Sequence, residues 1–331
     1  MTPFPVHAPS EKHAAEAEAG VFVDLKSLIK LEFRAKGFTF LPHQPVRSLL
    51  AGKHGSRLRG RGLNFDELRH YLPGDDVRTM DWRATARLRE PQVRVYTEER
   101  DRPCLLLIDQ RLSMFFGSGR AMKSVAAANA AALAAWRVFH SQDRIGAIVF
   151  NDDTCVEIAP RRSRRTVLQI LNAIVRQNGA FNVESPVPVN PGMLHEVLKR
   201  AGRLAPHDTL VVLISDGFGA GSESVHQANQ ISAHNDLLCV FVFDPLETAF
   251  PAIGPVLCSD GNQQLEVDMS IPAWQRGYAA QFTERLSKLQ TLTRRKRMPL
   301  MTLSTAEEIG PQLRKQLGGH PGPAHIKHVD Q

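Results

Sequence analysis

An α/β fold, with a mostly parallel sheet covered by helices on both faces, is predicted for the larger part of this 331-residue chain. Three observations predict it. Four short runs, 104–108, 145–150, 209–215 and 237–243, are apolar throughout and do not alternate, as strands covered on both sides should be. Segments with helical spacing separate these runs, which is the pattern of βαβ units. Three of the runs lead into an aspartate, Asp109, Asp216 or Asp244, and the carboxyl ends of strands are where open α/β sheets place their ligands.

In chain order, residues 1–20 are rich in Pro, Ala and Glu, lack periodicity and are expected to be disordered. Residues 22–36 carry Leu25, Leu28, Ile29 and Leu31 at the spacing of a short amphipathic helix. Residues 52–100 are rich in Gly and Arg and hold alternating stretches such as Val93-Arg94-Val95-Tyr96, which predict a small β-rich module with long loops. From residue 103 the texture changes. Helices are predicted over 120–140, 163–177, 191–203, 222–234, 272–291 and 305–316, with a last strand over 299–303. A hairpin is expected in 255–268, turning near Asp260-Gly261-Asn262. The domain reading is a disordered 1–20, an N-terminal helix and β-rich module over 21–101, the α/β domain over 102–316, and a flexible tail over 317–331.

No run of about 18 apolar residues occurs, so no membrane insertion is expected. The N-terminus has no basic segment followed by an apolar core, which makes the cytoplasm the expected location. Cys104, Cys155, Cys239 and Cys258 are widely spaced without a C-x-x-C pair, and are read as free thiols in a reducing compartment. The net charge of +7 raises the alternative of a nucleic-acid-binding protein. Between Gly52 and Arg100, however, eleven basic residues stand against eight acidic ones, a mixed surface more than a phosphate track. Two denser basic runs, Arg161, Arg162, Arg164 and Arg165, then Arg294, Arg295, Lys296 and Arg297, are read as solvated faces.

The strand-end aspartates sit in two telling segments, Asp109-Gln110-Arg111-Leu112-Ser113 and Leu213-Ile214-Ser215-Asp216-Gly217. These are similar to the first and third loops of the metal-ion-dependent adhesion site of von Willebrand factor A domains. That pattern is D-x-S-x-S, a Thr on a second loop, and an Asp after a later strand. Such a site holds a hard Mg²⁺ with oxygen ligands and leaves one position for a partner's carboxylate. The resemblance implies a Rossmann-like, von Willebrand factor A-like domain with a degenerate adhesion site. Asp109, Ser113 and Asp216 match. Arg111 replaces the middle Ser, and Phe181 stands where the second-loop Thr is expected. A guanidinium cannot ligate a metal, so Arg111 is expected to take the metal's place and pair with Asp109 and Asp216. No cofactor is therefore expected; any surviving weak Mg²⁺ site would rest on Asp109, Ser113 and Asp216.

A second, longer resemblance lies in the N-terminal module. It contains Arg69, Tyr71, Pro73, Gly74, Asp75, Asp76, Arg78, Asp81, Trp82 and Arg87 in the order R-x-Y-x-P-G-D-D-x-R-x-x-D-W-x-x-x-x-R. This is similar to the hallmark of the bacterial domain of unknown function 58 family, in which such a stretch precedes a von Willebrand factor A-like core. The resemblance runs over about residues 25–250 and includes the ending Asp244-Pro245-Leu246-Glu247. On the residues alone, Pro73-Gly74-Asp75-Asp76 is a turn, and Arg69, Arg78, Arg83 and Arg87 are expected to pair with Asp75, Asp76 and Asp81. Trp82 is expected to anchor the module by packing onto the core. The motif either holds the module together or offers its charged residues to a partner.

The family resemblance implies a non-enzymatic interaction or adaptor protein that partners a MoxR-type AAA+ ATPase in assembly or maturation of other proteins. The enzyme alternative is a hydrolase or phosphotransferase using the strand-end aspartates. Against it, the chain has no phosphate-binding glycine loop, no G-x-S-x-G and no H-E-x-x-H.

Overall fold

The structure, a computed structural model, describes residues 20–35, 63–98, 103–180, 188–259, 264–296 and 299–317. The chain forms two compact units, a larger one from residues 1–42 and 102–331 and a smaller one from 43–101. The elements in chain order are helix α1 (Leu25–Lys30), strand β1 (Leu63–His70), α2 (Trp82–Leu88), β2 (Gln92–Glu98), β3 (Cys104–Asp109), α3 (Lys123–His140), β4 (Ile145–Phe150), β5 (Cys155–Arg161) and α4 (Arg164–Gly179). Then follow α5 (Met193–Leu204), β6 (Leu210–Ser215), α6 (Ser222–His234), β7 (Asp236–Phe243), α7 (Pro245–Thr248), β8 (Pro255–Ser259), β9 (Gln264–Asp268), α8 (Pro272–Lys296), β10 (Leu300–Ser304) and α9 (Ile309–Leu317).

The larger unit is built on a six-stranded sheet in the order β10-β7-β6-β3-β4-β5. Neighbours are parallel except β4 and β5. The α/β class expected from the sequence is the observed one. Central strand β3 is buried at every position, because its pleat sends Cys104, Leu106 and Ile108 into one core and Leu105 and Leu107 into the other. The first core is capped by α3, where 14 of 18 residues are buried. A helix buried on nearly all sides cannot be amphipathic, and its run of alanines lets α1, α4, α9 and the sheet approach it together.

Three features depart from the sequence reading. Strand β5 was assigned no element there. It lies at the sheet edge, half exposed and carrying Pro160, so it lacks the unbroken apolar run of the central strands. The helix expected in 22–36 forms as α1 plus a 3₁₀ turn, Leu31–Arg34, but it does not join the β-rich module. Leu28 is fully buried in the larger core, Trp136 Nε1 donates to Leu28 O at 3.1 Å, and Arg164 forks onto Glu32. The apolar stripe of α1 thus groups it with the α/β unit. Finally, the smaller unit contains a helix, α2, besides its strands.

In the smaller unit β1 and β2 pair antiparallel with a bulge between Phe65 and Glu67. The Pro73-Gly74 turn is closed by Asp75 N donating to Leu72 O at 3.0 Å, with Gly74 at φ +108, a conformation open to glycine. Asp81 caps α2 by accepting from Arg83 N and Ala84 N. Trp82 is the first residue of α2, with 67% of its surface exposed. The hairpin expected in 255–268 forms as β8–β9; its turn residues, 260–263, fall outside the described part.

Candidate functional site

The carboxyl ends of β3, β6 and β7 converge on a buried cluster of charges. Asp109 and Asp244 are 0% exposed, Arg111 and Asp216 1%, Lys123 2% and Glu247 4%. Asp109 ends β3 and has both oxygens fully engaged. Oδ1 accepts from Arg111 N and Arg111 Nε, both at 3.0 Å. Oδ2 accepts from Arg111 Nη2 at 2.7 Å and from Ser215 Oγ at 2.7 Å. A carboxylate offers about four lone-pair sites, and all of those on Asp109 are taken. Arg111 Nη2 also donates to Phe218 O at 3.0 Å, and the guanidinium lies 5.6 Å above the Phe150 ring. Arg111 Nη1 is buried with no hydrogen-bond partner among the described residues.

Arg111 does not bridge to Asp216, contrary to the sequence reading. The cation at Asp216 is Lys123, the first residue of α3. Its Nζ donates to Asp216 Oδ2 at 2.8 Å and to Glu247 Oε1 at 3.0 Å. Asp216 Oδ1 accepts from Phe218 N at 3.0 Å and from Ser113 Oγ at 3.3 Å. Arg285 of α8 reaches in from the rim, donating to Glu247 Oε1 at 2.8 Å and lying 3.9 Å from Asp216 Oδ2. Arg111, Lys123 and Arg285 thus balance Asp109, Asp216 and Glu247 one for one.

At Asp216, Lys123 and Arg111 burial works against the charged form, and their partners reverse the effect. For Asp216 burial alone would raise the pKa, but Lys123, the Phe218 amide and Arg111 bring it down to about 2. Lys123 is pushed above its ordinary value by Asp216 and Glu247 despite its burial, and Arg111 by Asp109.

The third strand-end aspartate is held by neutral donors. Asp244 accepts from Ser118 Oγ at 2.6 Å, Ser118 N at 2.9 Å, Leu246 N at 2.9 Å and Thr305 Oγ1 at 2.5 Å. It also forms a capping box for α7, with Asp244 N donating to Glu247 Oε2 at 3.0 Å. The loop after β3 is pinned by Asp152, which accepts from Leu112 N at 2.6 Å and Asn190 N at 2.8 Å. Asn178, at the end of α4, bonds Gln110 Oε1 and accepts from Val23 N. Phe181 lies outside the described residues.

The structure therefore brings together Asp109, Arg111, Ser113 and Asp216. Sequence reasoning missed Lys123 and Arg285, and gave Glu247 only as part of the ending Asp244-Pro245-Leu246-Glu247. A signal for Lys123 existed: a lysine at the first position of a helix faces the positive end of the dipole, in an otherwise alanine-rich segment.

In the smaller unit Arg69 forks onto Asp75 with both contacts at 2.8 Å, which draws the Asp75 pKa down. Asp81 pairs with Arg94, at 2.8 Å, a residue outside the expected network. Asp76 accepts from Arg78 N. Among the described residues Arg78, Arg83 and Arg87 take no carboxylate; they stand exposed beside Trp82, Leu72, Val77 and Leu88.

Among the described residues the thiols carry no nucleophile signature. Burial raises Cys104 and pushes Cys239 up to about 12.

Comparison with known proteins supplies the lineage. Uncharacterized proteins of Mycobacterium tuberculosis and Mycobacterium bovis are 28% identical over 264 residues, covering 79% of this chain and 81% of theirs. Among solved structures, BatB from Bacteroides thetaiotaomicron superposes with a TM-score of 0.39 at 12% identity, over 65% of this chain and 98% of that one. A von Willebrand factor type A protein from Catenulispora acidiphila gives 0.33 at 11%, over 68% and 44%. The model of the family described as protein of unknown function DUF58 matches residues 67–287, two thirds of the chain and both the Arg-Asp motif and the strand-end cluster, and the chain is a member of that family.

Proposed function

We propose that the chain is a non-enzymatic adaptor, acting in the cytoplasm, whose strand-end cluster is an adhesion site with internal cations in place of the metal. The observation that carries this reading is the donor count at Asp109 and Asp216. Mg²⁺ requires near-octahedral oxygen ligation with free lone pairs. Asp109 has none left, and Lys123 Nζ already sits on Asp216 Oδ2. The residues present do not fit a divalent cation. The same saturation argues against a hydrolase or phosphotransferase, which needs a carboxylate free to accept a proton or attack. The proposed partner is a MoxR-type AAA+ ATPase, as the family resemblance implies. Two surfaces are available to it: the strand-end loops, with Arg285 at their rim, and the Trp82/Arg83 face of the smaller unit.

Titration calorimetry and affinity capture test the reading together. Wild type is expected to give no heat with about 1 mM Mg²⁺ or Mn²⁺. Arg111→Ser with Lys123→Ala, which restores D-x-S-x-S and vacates the ammonium, is expected to gain a cation site. A tight site in wild type that vanishes in Asp109→Ala would sink the metal-free reading. Capture from the native bacterium is expected to recover an AAA+ ATPase, with recovery indifferent to EDTA. Loss in Trp82→Ala/Arg83→Glu would place the contact on the smaller unit, and loss in Arg285→Ala, at the rim of the cluster, would place it at the strand ends. Recovery of no ATPase would remove the partner from the proposal.

A further inference from the structure

The two edges of the six-stranded sheet are treated differently. At β10, two glutamines of α9 close the free backbone. Gln316 accepts from Thr302 N at 3.2 Å and donates to Thr302 O at 2.6 Å. One turn earlier, Gln312 accepts from Ser304 N and donates to Ser304 O, both at 2.8 Å. Each amide imitates a passing peptide bond, so no further strand can pair there. At β5 no described strand or side chain bonds the outward-facing backbone. In an antiparallel pair, alternate residues direct their N–H and C=O groups to the free side. Residues 155–159 give about 17 Å of edge before Pro160, whose ring nitrogen lies against Gly146 of β4.

Beside this edge runs a groove of about 880 Å³ between β5 and α4. Its floor includes Val156, 39% exposed, and Ile158. Its wall is one stripe of α4, Arg165, Gln169, Asn172 and Arg176, with Arg161 at its end. Among the described residues none of these three arginines takes a carboxylate, whereas the adjacent Glu157 is already paired with Arg200 at 3.0 Å. An open strand edge beside a helix is the setting in which extended peptides add as an extra strand.

We propose that β5 and α4 form a second docking site, which takes an extended acidic segment of a partner protein by strand addition to the β5 edge. Backbone pairing supplies the register, and Arg161, Arg165 and Arg176 select for carboxylates. A nucleic acid is the weaker match, because the groove lining contains no aromatic side chain on which bases could stack. The site is separate from the strand-end cluster and stands whether or not that cluster is metal-free.

The test is fluorescence anisotropy on the full chain with a labelled heptapeptide, Glu-Val-Glu-Val-Glu-Val-Glu. Saturable binding below about 1 mM is expected, the weak limit of specific association. Arg165→Glu/Arg176→Glu is expected to weaken it at least about tenfold, and Arg165→Gln/Arg176→Gln to weaken it less. Both positions are exposed helix surface, so the variants keep the fold. A peptide methylated at every internal nitrogen keeps its charge but cannot pair, and is expected to bind at least about tenfold more weakly. Absence of saturable binding, equal binding by the methylated peptide, or equal binding by the charge-reversed variant would each overturn the proposal. So would preference for an oligothymidylate over the peptide, or a dimer in sedimentation that the charge reversal dissolves, since a second copy would then be the occupant.

Discussion

Lys123 shows how a charge survives where water does not reach. Its ammonium is desolvated on every side, and Asp216 and Glu247 supply what hydration would. Removing one member leaves the others uncompensated, so Lys123→Met is expected to destabilise the chain by about 3–5 kcal/mol in urea unfolding. Lys123→Met/Asp216→Asn is expected to cost clearly less than the two single changes summed, because the second change relieves the charge the first one strands. Additive costs would show that the pair is not coupled. The pH dependence has a definite sign. The Asp216 pKa falls from 3.8 to about 2 on folding, so its contribution is present above pH 4 and lost as pH drops toward 2. The stability gap between wild type and Asp216→Asn should therefore narrow across that window and stay constant between pH 5 and 8.

At the scale of elements, each strand end is tied to a helix start. Asp109 holds the turn after β3, Asp216 holds the first residue of α3, and Asp244 both caps α7 and bonds Thr305 after β10. The sheet edges are the other place where elements are decided. Gln312 and Gln316 stand four apart on α9 and meet β10 residues two apart. Gln316→Leu removes two backbone partners and is expected to cost about 1–3 kcal/mol. It should also speed hydrogen exchange at Thr302; unchanged exchange would show that the amide does not close the edge.

At the scale of the whole molecule, the chain crosses its own order. Residues before the smaller unit return as α1 to complete the core of the larger one, where Leu28 is fully buried and backs Trp136. Leu28→Ala in the full chain is expected to cost about 2–5 kcal/mol by leaving a cavity beside α3. A loss below about 0.5 kcal/mol, the size of an ordinary surface change, would mean α1 is not part of that core.

The α/β class, the four central strands and most helices were legible because unbroken apolar runs and 3.6-residue spacing are local signals. Asp109, Arg111, Ser113 and Asp216 were legible as a set because a short motif places them at strand ends. The sequence alone did not assign the cation for Asp216, since Lys123, Glu247 and Arg285 approach it from three separate helices and share no spacing with it. Nor did it determine that α1 belongs to the larger core, or that α9 closes the β10 edge while no described residue closes the β5 edge. Those outcomes depend on which surfaces meet, and long-range packing and charge balance are settled only when the whole chain has folded.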